Sequence, residues 1–188
     1  LAGLVTLPEV QRAIRDFASA RPDHPGVEGF GWLYAPFPGG SPTAAQLDAA
    51  IPDRPAVMDC YDGHSIWVNS RALAAAGITR DTPDPPNGAI VRDPRTGAPT
   101  GHLKESAAAL VRRVMPKPTA ADRRSALKAA MAHANRFGIT SIQNAGTSVD
   151  EMGLYEEARR AGELTVRAYL AFRADASTTE ADADAMLA

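Results

Sequence analysis

Phe137-Gly138-Ile139-Thr140-Ser141-Ile142-Gln143-Asn144-Ala145 closes one element and opens another. Gly138 accepts the left-handed conformation that follows a helix end, and Ile139 to Gln143 reads as a strand. Upstream, Thr119 with Asp122 caps a helix whose Leu127, Ala130, Met131, Ala134 and Phe137 share one face. Downstream, Met152, Leu154, Tyr155 and Ala158 mark a second helix that Gly162 ends. A strand from Leu164 to Phe172 follows, and Ser177 with Glu180 opens a last helix. Strands separated by helices predict βαβ units, hence a parallel sheet with helices outside it.

Toward the N-terminus the same alternation is looser. Thr6 and Glu9 form a capping box over a helix at 6–20 that presents Val10, Ala13, Ile14 and Phe17 on one face. A proline loop at 21–26 leads to a strand at Phe30–Tyr34. Thr43 and Gln46 cap a short helix, Pro55–Cys60 reads as a strand, and a short helix at 69–76 ends at Gly77. The stretch 78–118 is an excursion from the main fold. It carries Pro83, Pro85, Pro86, Pro94 and Pro99, a β-hairpin over 89–102 and a helix from about Leu103 to Val114. About four parallel strands result, which suit either a small open sheet or half of an eight-stranded barrel.

Composition narrows the function. The 188 residues fit one domain at roughly 150 residues per domain, and 45% apolar residues are enough for a core. Twenty basic against 22 acidic side chains leave a net charge of −2, which excludes the basic footprint of a nucleic-acid binder. No apolar run is long enough to span a membrane. A lone cysteine, Cys60, excludes an intramolecular disulfide and a Cys-rich zinc site. No Gly-x-Gly-x-x-Gly and no Gly-x-x-x-x-Gly-Lys is present, so a nucleotide-binding domain is disfavoured. The chain opens Leu1-Ala2-Gly3 without a Met and closes within what reads as a helix, so it reads as an internal fragment of a longer protein.

Parallel α/β folds carry function at the C-terminal ends of their strands. After the Pro55–Cys60 strand comes Tyr61-Asp62-Gly63-His64-Ser65-Ile66-Trp67-Val68-Asn69-Ser70, which packs an acid, an imidazole, an indole and an amide around a turn that Gly63 permits. His64, Trp67 and Asn69 are the substrate-binding candidates. Each has a structural alternative: a His that holds the turn, a Trp in the core, an Asn that caps the next helix.

The run Asp62-Gly63-His64-Ser65-Ile66-Trp67-Val68-Asn69-Ser70-Arg71-Ala72-Leu73 resembles a signature of amidohydrolase family 3, the N-substituted formamide deformylase-like branch of the metal-dependent hydrolases. The resemblance continues in order through Gly77-Ile78, Asn87 to Asp93, Thr96 to Ala107 and Gly138 to Ala145. Asn87-Gly88 departs from it, since the family more often has a glycine pair there. The resemblance implies a partial (β/α)8 TIM barrel with a hairpin and loop-rich insertion. It implies a cytoplasmic-type enzyme that hydrolyses amide-type C–N bonds of a small-molecule substrate with a metal-activated water. The cofactor it implies is a divalent metal, zinc, in the full-length protein.

The family's ligands are a His-x-His pair, a bridging carboxylate or carboxylated Lys, two later His and an Asp. The four His here, His24, His64, His102 and His133, include no His-x-His. The metal site is therefore expected outside the chain, with no catalytic residue and no bound metal in it. Glu105 is the one candidate metal ligand, with a first-turn acid on a helix dipole as its alternative. Lys104 is the other conceivable bridging residue. His102 reads as structural, His24 and His133 as non-functional, and Cys60 as a buried small hydrophobe. A half-barrel would leave two strand edges unpaired, so a homo-oligomer through those edges is expected. The rival reading is a non-catalytic α/β binding or regulatory module without the metal site.

Overall fold

The structure, a computed structural model, describes residues 1–174 and 178–187. It divides into two compact units, Leu1–Pro116 and Lys117–Ala188.

In the first unit, α1 (Leu7–Ser19) precedes β1 (Val27–Trp32), α2 (Ala44–Asp48), β2 (Ala56–Cys60), β3 (Ser65–Val68) and α3 (Ser70–Ala75). The hairpin β4 (Gly88–Arg92) and β5 (Pro99–Glu105) follows, then α4 (Ala108–Arg112). The sheet order is β1-β2-β3-β5-β4. Only β1 and β2 are parallel, joined by the crossover through α2; the remaining pairs are antiparallel. The capping boxes Thr6/Glu9 and Thr43/Gln46 form as their spacing predicts.

Alternation along β2 divides its side chains between two cores. Ala56, Met58 and Cys60 pack with Trp67 and with Val10, Ile14 and Leu47 of α1 and α2. Val57 turns to the opposite face and packs with Ile66, Val68, Leu73, Leu103 and Val111. The Arg54 side chain fastens the frame to backbone. Arg54 Nη2 donates to Ala18 O at 2.6 Å, and Nη1 donates to the carbonyls of Arg21, Pro22 and His24 at 2.9, 2.6 and 3.1 Å. These bonds close off the C-terminal end of α1. Gly101, at φ +98°, lets β5 pass so close to its neighbours that a Cβ would meet Val68 O at 2.6 Å and Ala44 N at 2.7 Å.

The sheet of this unit is mixed and not the parallel sheet the sequence predicted, because the short β2–β3 turn and the β4–β5 hairpin pair their strands antiparallel. Two elements also differ from expectation. Ser65–Val68 is a strand, all four residues buried, where the sequence read as a turn running into a helix. Leu103–Glu105 belongs to β5 and not to a helix, because Leu103 pairs with Ile66 and Lys104 with Ser65; the helix starts only at Ala108. The hairpin of the stretch 78–118 thus supplies two strands of the five.

In the second unit, α5 (Ala120–Arg136), β6 (Ser141–Thr147), α6 (Val149–Arg160) and β7 (Arg167–Phe172) precede α7 (Glu180–Leu187). β6 and β7 pair in parallel across the α6 crossover. The Thr119/Asp122 box caps α5, and a Ser148/Glu151 box caps α6. Leu127, Met131 and Val166 form its small core. Ser177 lies outside the described residues; ahead of α7, Thr179 N and Oγ1 donate to Asp182 Oδ2 at 2.9 and 2.7 Å. No described helix is long and apolar enough to cross a membrane.

Candidate functional site

β1 and β2 run parallel and end at Trp32 and Cys60. β5 runs in the direction of β2, since both are antiparallel to β3, so its last residue Glu105 arrives at the same edge of the sheet. The turn from β2 to β3 therefore meets the end of β5 there. Gly63 takes φ +76° in this turn. The Asp62 carboxylate shapes it: Oδ1 accepts from the His64 amide at 3.0 Å, two residues on. Tyr34 Oη donates to Asp62 Oδ2 at 3.0 Å and lies 3.1 Å from Ser65 Oγ.

The electrostatics follow this wiring. Burial would raise the Asp62 carboxyl, but bonds from the His64 amide, the Cys60 thiol and Tyr34 outweigh it and hold the group below the usual carboxylate range. Burial pushes the Tyr34 phenol up to about 12 and raises the Cys60 thiol. Both remain protonated at neutral pH and act as donors, not as nucleophiles.

His64 and Glu105 meet at this edge. His64 Nδ1 lies 3.0 Å from Glu105 Oε1, and the Glu105 amide donates to His64 O at 2.9 Å. The side chains are 68% and 55% exposed, so the pair faces solvent. Glu105 holds φ +50°, a left-handed value rare for a residue with a Cβ. Such a conformation costs roughly 1–3 kcal/mol, whereas an exposed side-chain contact of this kind returns about 0–1 kcal/mol. The pair does not account for the strain as a stabilising contact.

The other two substrate-binding candidates belong to the frame. Trp67 is fully buried; its Nε1 donates to Thr43 O at 2.7 Å and its ring meets Phe37 edge-on with centroids 5.0 Å apart. Asn69 is fully buried, and each polar atom of its side chain makes two bonds. Oδ1 accepts from the amides of Ala56 and Ala72 at 3.0 and 2.9 Å, and Nδ2 donates to Ile51 O and Arg54 O at 2.9 and 2.8 Å. It is the cap of α3 and a tie between α3 and β2, with no polar atom left for a substrate.

His102, read as structural, is buried against Trp32, with Nδ1 3.0 Å from Ser41 Oγ and Nε2 without a partner among the described residues. Burial, with Lys104 nearby, lowers its pKa to about 4. His133 lies on α5 against Phe137, 5.1 Å between ring centroids. Among the described residues no group of three or more His, Cys, Asp or Glu side chains is placed to hold a metal ion. Glu105 has His64 beside it and no further ligand, so these residues do not fit a metal centre. In the second unit, grooves between α5 and α6 carry the ion pairs Arg124–Glu157 and Lys128–Glu163.

Reading the residues alone found the turn through Gly63 and His64. It missed Tyr34 and Asp62 as the groups that hold it. The spacing Asp62-Gly63-His64 was the available signal, since an Asp bonding the amide two residues on is a turn device.

The model of the amidohydrolase family matches residues 4–187. The protein named amidohydrolase YtcJ of Bacillus subtilis (strain 168) is 33% identical over 178 residues, 90% of this chain and 33% of its own length. N-substituted formamide deformylase of Arthrobacter pascens is 32% identical over 128 residues, 66% of this chain and 23% of its own. The fold is shared with the crystal structure of an uncharacterized metal-dependent hydrolase from Pyrococcus horikoshii OT3. That likeness has a TM-score of 0.59 at 21% identity and covers 92% of this chain and 32% of the other. The chain thus spans about a third or less of the length of these relatives.

Proposed function

Because this chain belongs to the amidohydrolase family, we propose that it forms an internal part of a metal-dependent hydrolase that cleaves amide-type, non-peptide C–N bonds with a metal-activated water. The reading is supported by a family match that spans residues 4 to 187. In this proposal the two parallel pairs, β1–β2 and β6–β7, are staves of a (β/α)8 barrel, each pair joined by the helical crossover such barrels use. The divalent metal, zinc in this reading, finds no ligand set among the described residues, and no step through it follows from them.

What these residues supply is wall and rim. Asn69 and Trp67 fix the β2–β3–α3 corner. Asp62 and Tyr34 fix the turn, and the turn carries His64 to the end of the sheet where parallel folds meet their substrates.

The test is to express the full-length protein that contains this chain and measure amine release from N-alkyl formamides and other small amides, with and without a chelator. Chelator-sensitive amine release is expected. A purified, folded protein that releases no amine from any of them, with zinc supplied, overturns the reading.

A further inference from the structure

We propose that His64 and Glu105 form a substrate-contacting dyad whose free imidazole nitrogen accepts a hydrogen bond from an N–H group, as a secondary amide or an amine carries. The proposal rests on the amidohydrolase reading for the class of ligand, and on the structure for the residues.

Three observations carry it. The first is direction. A carboxylate only accepts hydrogen bonds, so Nδ1–H is the donor in the 3.0 Å contact with Glu105 Oε1, which selects the imidazole tautomer whose lone pair is on Nε2. The Nε2 lone pair is then left for something else, and no bond from the protein to Nε2 is found among the described residues. The second is placement. The dyad stands at the edge where β1, β2 and β5 all end, and it is exposed there. The third is the backbone. Glu105 occupies a left-handed position that glycine would hold without strain. A chain that only had to leave β5 and turn into α4 would be served better by glycine. The carboxylate is the reason to keep a side chain there, and among the described residues its one partner is His64.

The turn around His64 is fixed from beneath. The Asp62 carboxylate holds the His64 amide, Tyr34 holds Asp62, and the Glu105 amide holds His64 O. Both backbones of the dyad are therefore fixed while both side chains stay accessible.

The test uses the full-length protein and two probes, an N-alkyl formamide, which has an N–H, and an N,N-dialkyl formamide, which has none. His64→Ala is expected to lower kcat/KM on the first by roughly tenfold or more and on the second by less than about twofold. Glu105→Gly is expected to show the same selective loss with its Tm unchanged or raised, and Glu105→Gln, which can still accept from Nδ1, to recover most of the activity. Equal losses on both probes would assign the imidazole elsewhere and overturn the dyad. So would a Glu105→Gly protein whose Tm falls by several degrees, because the pair would then be a structural contact. A wild type inactive on every amide refutes the amidohydrolase reading. The Tm of Glu105→Gly still decides whether that side chain is kept against its backbone preference.

Discussion

The two units use the same βαβ device and bury it to different depths. In the first, β2 and β3 have side chains in apolar cores on both faces of the sheet, and Trp67, Val68 and Cys60 are fully buried. In the second, Ser141, Gln143 and Ala145 of β6 and Arg167, Tyr169 and Ala171 of β7 are exposed, Tyr169 to 66%, and α6 buries none of its residues. Parallel strands are normally covered on both faces. The first unit meets that requirement from its own sequence, and the second does not. The difference is one of non-local cover, not of local signal, because both units have well-formed helix caps.

The largest expected effect tests the stiffer unit. Asn69→Ala leaves the Ala56 and Ala72 amides and two carbonyls without their buried partner and should cost about 3–4 kcal/mol. Both tryptophans, Trp32 and Trp67, lie in the first unit, so urea unfolding followed by Trp fluorescence reports on it directly.

The next concerns acid. His102 takes a proton near 6.5 in the unfolded chain and near 4 when buried. The unfolded state therefore binds more protons between these values. Stability is full above about pH 6.5 and falls as the pH drops toward 4, by up to about 3 kcal/mol. A His102→Gln protein should show a flatter Trp-detected stability profile between pH 7 and pH 4. An unchanged slope would mean that other groups set it.

The same truncation placed in each unit sharpens the contrast. Leu103→Ala, at a fully buried site, should cost about 3–4 kcal/mol, and Leu127→Ala, at 9% exposure in the small core, about 1–2. Amide hydrogen exchange read unit by unit checks this, and equal losses would break the comparison. Caps should show no contrast, because their bonds are local. Thr6→Ala in the first unit and Thr119→Ala in the second should each cost about 1 kcal/mol.

What the residues disclosed in advance follows the same division. Capping boxes at Thr6, Thr43 and Thr119 depend on side chains three positions apart, and all three form. β3 escaped because Ser65-Ile66-Trp67-Val68 is short and buried throughout, so it has no alternation to read. Lys104-Glu105-Ser106-Ala107 has helix-forming composition, and only the pairing of β5 with β3, about forty residues back, makes its start a strand. The site divides likewise. Gly63 announced the turn that carries His64, but the carboxylate that meets His64 lies 41 positions away and leaves no trace in local spacing. Trp67 and Asn69 shared the polar stretch with His64, but β3 turns Trp67 inward and the cap of α3 holds Asn69 in the interior.

Arg54 gives the frame an order in time. The carbonyls that its guanidinium gathers at the end of α1 lie 30 to 36 positions earlier in the chain. A ribosome adding about 5–20 residues per second needs about two to seven seconds to cover the longest of these gaps. During that interval the carbonyls of Pro22 and His24 have no guanidinium to meet, and those of Ala18 and Arg21 have only local amides, those of Arg21 and His24 among them. Only when Arg54 has been added can the end of α1 be tied to the start of β2.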